Sequence, residues 1–366
     1  MKISCLSENL VKGLNLTSRI VSSHPSLPVL ANILLETSKG FLKISSTNLE
    51  IGLICKIGAK IEEEGSITIL ARLFTEYINS LPPGKVNLTL EKNNLHITSG
   101  KSEAVICGIP SSEFPLIPKI EKPSLISLNS NTLFEGLALV VFAAALDESR
   151  PVLSGVFMNF KDNELKLVAT DSYRLSEKII KLKNKLKEEK KVIVPYRSAQ
   201  EILRLLAESK GEVEITLDEN QILFRLDDIE LTSRLIEGNF PAYEQIIPSS
   251  SETKVDLAFE EFTSTIKTAS LFARESLNNI KLEIRAKGEL EISATSSQVG
   301  EMKTTLEAKV KGPDAEIAFN AKYLLDVLGA LKKDEVSLEV SGKLNPGVIR
   351  SKDSPDFLHI IMPLKI

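Results

Sequence analysis

The chain has 366 residues, 43% of them hydrophobic and 26% charged, with a formal net charge of −4. At roughly 100–200 residues per domain the length exceeds one ordinary core. The composition is that of a soluble globular protein with no apolar run of about 18 residues to span a membrane, and the acidic balance argues on its face against a nucleic-acid partner. The N-terminal Met1-Lys2-Ile3-Ser4-Cys5 lacks the basic and apolar regions of a secretory signal. Three scattered cysteines (Cys5, Cys55, Cys107) fit small core residues in a reducing cytoplasm. The three histidines (His24, His96, His359) lie far apart, and no Cys or His pair has zinc-ligand spacing, so no metal and no cofactor is expected.

In chain order, the predicted elements recur. A strand and a helix from Ser7 to Ser22 come first, then an alternating strand Gly40–Thr47 ending in Thr. "ITILARLFTEYINSL" from Ile67 reads as a strand running into an amphipathic helix, and Glu91-Lys92-Asn93-Asn94 as a hairpin turn. After the proline-rich "FPLIPKIEKPS" the pattern restarts. It gives a helix from Asn131 to Leu146, the strand Asn163–Thr170, "VIVPYRSAQEILRLL" from Val192 and a turn at Asp218-Glu219-Asn220. After "FPAYEQIIPSSSETK" it restarts again, with a helix from Glu260 to Ala273, the strand Gly288–Thr295, "IAFNAKYLLDVLGAL" from Ile317 and a turn at Ser341-Gly342-Lys343. In that third long helix Phe262, Ile266, Ala269 and either Phe272 or Ala273 share one face.

The unit is therefore two helices plus roughly eight short strands, repeated three times, with helices grouped on one face of antiparallel sheet, which is α+β. The copies are assigned to residues 1–120, 121–250 and 251–366. In the second copy the shared strand runs on into Thr170-Asp171-Ser172-Tyr173-Arg174-Leu175. A nucleophile there needs an activating base and an orienting group. No histidine is near in sequence, and no Gly-x-Ser-x-Gly elbow or Walker loop is present. A hydrolase centred on Thr170, Asp171 and Ser172 is the enzymatic alternative; a monomeric peptide-binding scaffold is another. The sister copies share the Thr but not the Tyr-Arg-Leu, which points to a docking edge. Asp171 then supplies turn chemistry, Arg174 a hydrogen-bond donor to a bound peptide, and Leu175 an apolar wall.

"HPSLPVLANILLE", "ESRPVLSGVFM", "ATDSYRLS", "NFPAYEQIIP" and the terminal "IIMPLKI" occur in this order over the whole chain. With the triplication, the sequence resembles the bacterial sliding clamp family, the beta subunits of the replicative DNA polymerase III. The resemblance implies the DNA clamp fold and a head-to-tail homodimer that closes as a ring around double-stranded DNA. Such a ring is held by topology rather than sequence, has no catalytic activity, and works in the bacterial cytoplasm without a membrane. It implies a peptide cleft made by Leu153, Thr170, Ser172, Tyr173, Arg174, Leu175, Pro241, Gln245, Ile246, Ile360, Met362, Pro363, Leu364 and Lys365. This cleft would tether DNA polymerase and clamp-loader subunits through short linear peptides. DNA-proximal candidates are His24, Arg72, Arg150, Arg197 and Arg204, together with Arg19, Lys267, Lys322 and Lys332 on or beside the helices. Ala104 and Ile106 of one subunit would meet Leu271 and Phe272 of the other. A topologically retained ring needs only a mildly positive inner face, so the acidic net charge no longer argues against DNA.

Overall fold

A computed structural model of the chain describes residues 1–22, 27–147, 149–331 and 335–365. They form two compact units. The first holds residues 1–130 and 208–235, and the second holds 131–207 and 236–366. Each unit thus takes strands from the second sequence copy.

In the first unit, α1 (Ser7–Thr17) and α2 (Ala71–Ser80) accompany a five-stranded and an eight-stranded antiparallel sheet. The five-stranded sheet ends at the edge strand Ser102–Cys107. In the eight-stranded sheet, Ile229–Arg234 of the second copy pairs with Ile51–Gly58 of the first, joining Thr232 to Gly52 and Leu231 to Leu53. In the second unit, α3 (Ser130–Ala138), α4 (Tyr196–Glu208), α5 (Phe259–Ala273) and α6 (Ala321–Leu331) accompany sheets of nine and four strands. The nine-stranded sheet joins copies two and three by the same device. Arg174–Lys181 pairs with Ser354–Ile361, setting Leu175 opposite Ile360 and Ser176 opposite His359.

The periodic positions explain the cores. On α5, Phe262, Ile266, Ala269 and Ala273 are buried, so Ala273 completes the stripe, while Phe272 is half-buried against the same cluster. Burying one such phenylalanine stabilises the fold by about 1.5–3 kcal/mol. Glu260 and Glu261 occupy the first turn of α5, where they complement the helix dipole. The shared strand opens from a left-handed turn residue in every copy: Gly40 (φ 86°), Asp162 (φ 50°) and Gly288 (φ 101°).

Two expected helices are shorter than the sequence pattern suggests. α1 stops at Thr17, whose hydroxyl donates back to the Gly13 carbonyl at 2.9 Å and competes with the helical ladder. α3 stops at Ala138. The apolar run continues as a separate 3-10 turn, Val141–Ala143, after Val140 leaves helical geometry at φ −123°. Two adjacent β-branched residues, Val140 and Val141, favour the break, and both are buried by it. Leu146, expected inside a buried helix, is exposed.

Candidate functional site

The turn after the shared strand sets the geometry. Thr170 Oγ1 donates to the Arg174 carbonyl at 2.6 Å and accepts from the Ser172 amide at 3.1 Å. Asp171 Oδ1 accepts from the amides of Tyr173 and Arg174 at 2.9 and 3.0 Å. The first copy has the same turn. Thr47 Oγ1 donates to the Ile51 carbonyl and accepts from the Leu49 amide, while Asn48 Oδ1 accepts from the amides of Glu50 and Ile51. Ser172 and Leu49 sit in the left-handed region at φ 79° and 76°. Thr170 and Asp171 are thus consumed in a turn that the first two copies share.

The second copy adds Arg174. Its guanidinium donates through Nε to Asp171 Oδ2 (3.0 Å), through Nη1 to Asp326 Oδ2 (2.5 Å) and through Nη2 to the Phe142 carbonyl (2.8 Å). It lies over the rings of Tyr323 (4.5 Å to the centroid) and Phe142 (5.6 Å), within the range of a cation–π contact. Its side chain is only 9% exposed. Three of its five N–H donors are thus committed inside the fold, where they tie the turn to α6 and to the Phe142 carbonyl. Leu175 is fully buried, so it forms the floor beneath the surface rather than an open wall.

Beneath Arg174, His359 is fully buried, its Nδ1 2.7 Å from Ser176 Oγ and its ring 5.4 Å from Phe142. Burial, and secondly the charge of Arg174, pushes its pKa down to about 3. The imidazole is therefore neutral at physiological pH. Burial first, then the Asp171 carboxylate, raises the pKa of the Tyr323 phenol. Tyr243 donates its hydroxyl to Glu177 Oε2 at 2.6 Å, and burial followed by that bond raises its pKa also.

Leu175 and Ile360 are neighbours across the strand pair and share an apolar cluster with Phe157, Val168, Tyr243 and Leu358. The linker after copy two lies on that cluster. Phe240 stacks on Phe157 at 4.7 Å, and Tyr243 meets both rings edge-on. Pro241, Gln245 and Ile246 on this linker are exposed. The Met362 amide donates to the Tyr173 carbonyl at 2.8 Å, and the Leu364 amide to the Ala318 carbonyl at 2.8 Å. Tyr173 (59% exposed), Ile246 (47%) and Met362 (38%) thus present apolar surface, with Pro363 and Leu364 half-buried and Lys365 exposed. Leu153 is buried in the turn Pro151–Leu153 and accepts from the Ala145 amide.

Other candidates fall elsewhere. Arg150 donates to Ser172 Oγ at 2.9 Å, which brings a candidate expected near DNA to a residue expected at the cleft rim. Arg72, Arg197 and Arg204 are exposed on α2 and α4, Arg72 paired with Glu76 and Arg204 with Glu201. Arg19, Lys267 and Lys322 are exposed as well. His24 and Lys332 lie outside the described residues. On the edge strand Ser102–Cys107, Ala104 is half-buried and Ile106 buried, while Val105 is 55% exposed. Leu271 is 55% exposed at the end of α5, beside the half-buried Phe272. Sequence reasoning missed Phe142, Tyr323 and Asp326. The one available signal was the i, i+3 spacing of Tyr323 and Asp326, which sets them on one helix face.

Two copy-to-copy strand pairings, a Thr-Asx turn common to the first two copies and an apolar surface at one of the pairings describe a modular protein built from repeated units. The comparisons place it more closely. Residues 1–118, 127–242 and 244–365 match the N-terminal, central and C-terminal domains of the DNA polymerase III beta subunit. The beta sliding clamp of Staphylococcus epidermidis is 32% identical over 376 aligned residues, covering all of this chain and 99% of that protein. That of Staphylococcus aureus is 31% identical over 375, with the same coverage. Among solved structures, the DNA polymerase sliding clamp of Bacillus subtilis superposes with a TM-score of 0.96 at 30% identity, over 100% of this chain and 99% of that one. The beta subunit from the Streptococcus pyogenes DNA polymerase gives 0.96 at 28% identity, over all of both chains. The chain belongs to the DNA polymerase III beta subunit family, the bacterial beta sliding clamps. It is a non-catalytic processivity factor of DNA replication.

Proposed function

We propose that two copies of this chain close head to tail into a ring around duplex DNA, and that peptides from replication proteins dock where Tyr173, Ile246 and Met362 are exposed. The observation that carries the docking surface is the pairing of Arg174–Lys181 with Ser354–Ile361, which sets the second copy's added residues beside the chain's last strand. Short apolar peptide anchors suit such a surface, and Met362 adapts to different side chains. The buried cluster under it, braced by Arg174, gives a rigid floor, while Arg150 and Ser172 supply polar groups at the rim. DNA polymerase and clamp-loader subunits are the proposed partners, and the bacterial cytoplasm is the proposed compartment. Among the described residues no helix is long and apolar enough to cross a membrane.

For ring closure, the edge strand Ser102–Cys107, with Ala104 and Ile106, is proposed to meet the end of α5 in a second copy, at Leu271 and Phe272. A heterologous contact that closes by rotation makes a ring. Exposed Arg72, Arg197 and Arg204 are proposed as phosphate contacts, which position a protein on DNA without reading sequence. The three modules are assigned to residues 1–120, 121–250 and 251–366. To test the docking surface, Met362→Asp is titrated with a fluorescent peptide carrying two leucine anchors. A loss of at least about tenfold in affinity is expected, since a charge would enter an apolar contact; unchanged affinity would place docking elsewhere.

A further inference from the structure

The pairing that joins copies two and three has a counterpart joining copies one and two, and the difference that matters most lies at one position. Five residues after the turn threonine, the later junction has Leu175, fully buried opposite Ile360. The earlier junction has Gly52, opposite Thr232. The space a leucine would take is filled by the chain's own linker: a Cβ built on Gly52 would lie 2.7 Å from Ile117 Cγ2. Ile117 packs on the small cluster of Val29, Leu34 and Phe114. Beside it a cavity of about 250 Å³ stays open, lined by Leu49, Ile51, Leu116, Thr232 and Arg234 among others. Two of these, Leu49 (51% exposed) and Leu116 (95%), are apolar and open to solvent. The floor also holds a mismatch. Ser45 Oγ is buried without a hydrogen-bond partner among the described residues, at the place where the later junction has Val168.

The linkers correspond as well. Phe114-Pro115-Leu116-Ile117 matches Phe240-Pro241-Ala242-Tyr243. In the later junction Tyr243 is tied down by Glu177 and packs in the buried cluster that holds Leu175. In the earlier one the linker side chain itself takes the place of that leucine.

We propose that the first junction is a second peptide groove held closed by the linker, with Ile117 as its intramolecular occupant, so that each chain offers one open groove. The comparison rests on reading the later junction as a peptide groove, but the test below reads only the earlier one. An occupant tethered by a short linker acts at an effective concentration in the millimolar range, so a micromolar free peptide competes poorly until the occupant is removed.

The probe is the labelled nonapeptide SEFPLIPKI, the sequence of residues 112–120, added to the full-length protein and followed by fluorescence anisotropy. Ile117→Ser is expected to bind it at least about tenfold more tightly than the unsubstituted chain. Ile117→Ala, a milder truncation, should fall between them. Adding Gly52→Leu to Ile117→Ser fills the space that Ile117 vacates and should return binding to the starting weakness. The gain should persist with Met362→Asp present, so failure of the later groove would leave this result standing. Equal affinity across the unsubstituted and Ile117 variants overturns the proposal, as does a gain that survives Gly52→Leu.

Discussion

Replacing Arg174 by alanine tests whether the second copy's added residues form a brace. The substitution strands Asp171 and Asp326, frees the Phe142 carbonyl and removes the cation that lies over two rings. Breaking a buried ion pair from one side costs about 3–5 kcal/mol. Here the stranded carboxylates are 16% and 31% exposed and regain some water, so we expect about 2–3 kcal/mol in the second unit. With a urea dependence of about 1–3 kcal/mol per molar, the unfolding midpoint should drop by about 1 M. A double-mutant cycle with Asp326→Ala should return a coupling of about 1–3 kcal/mol. Peptide affinity should fall for Asp326→Asn as well as for Arg174→Ala, because both loosen the same support. An unchanged urea midpoint in Arg174→Ala would refute the brace. Affinity lost in Arg174→Ala yet intact in Asp326→Asn would return Arg174 to a direct contact.

Three further outcomes follow from other contacts. His359 has a folded pKa of about 3, against 6.5 for an unperturbed histidine. The unfolded chain therefore takes up a proton that the folded one refuses, and this stabilising contribution is full above pH 6.5. It should be lost at up to about 1.4 kcal/mol per pH unit as pH falls from about 6.5 towards 3. His359→Gln should flatten that slope in urea titrations, and an unaltered slope would assign the acid sensitivity elsewhere. Tyr243→Phe removes the hydroxyl donor to the buried Glu177 and should cost about 1–3 kcal/mol by the same assay; no change would mean another donor replaces it. Leu271→Asp places a charge on an exposed apolar side chain that the isolated fold does not need. If the proposed dimer forms, sedimentation should show monomer for Leu271→Asp and dimer for the unsubstituted chain, with an unchanged urea midpoint; a persistent dimer would move the interface away from α5.

What was legible in the sequence is what local chemistry enforces. The triplication, the strand alternation and the hairpin turns show in residue types because turns demand particular residues, as at Lys92, which adopts φ 56° between its two strands. Asp171 as turn chemistry was readable for the same reason. The ends of α1 and α3 were not. The apolar run Leu137–Leu146 has the composition of a buried helix, and only the packing of Val140 and Val141 breaks it. The environment of Arg174 was hidden because Asp326 lies 152 residues away and Phe142 contributes a backbone carbonyl, which has no sequence signature. Arg150 sits on a segment similar to a family landmark, and its contact with Ser172 depends on a fold that a linear pattern does not carry. Strand alternation does place Ala104 and Ile106 on one face, but it does not reveal that Ile106 is buried while Ala104 is half-buried and Val105 exposed.

The central claim is that the protein holds DNA by enclosing it. Protein loaded onto a nicked circular duplex should stay bound when salt is raised enough to abolish charge-dominated binding, and should leave once the circle is cut to a linear molecule. Equal retention, or equal loss, on circular and linear DNA at that salt would contradict the account.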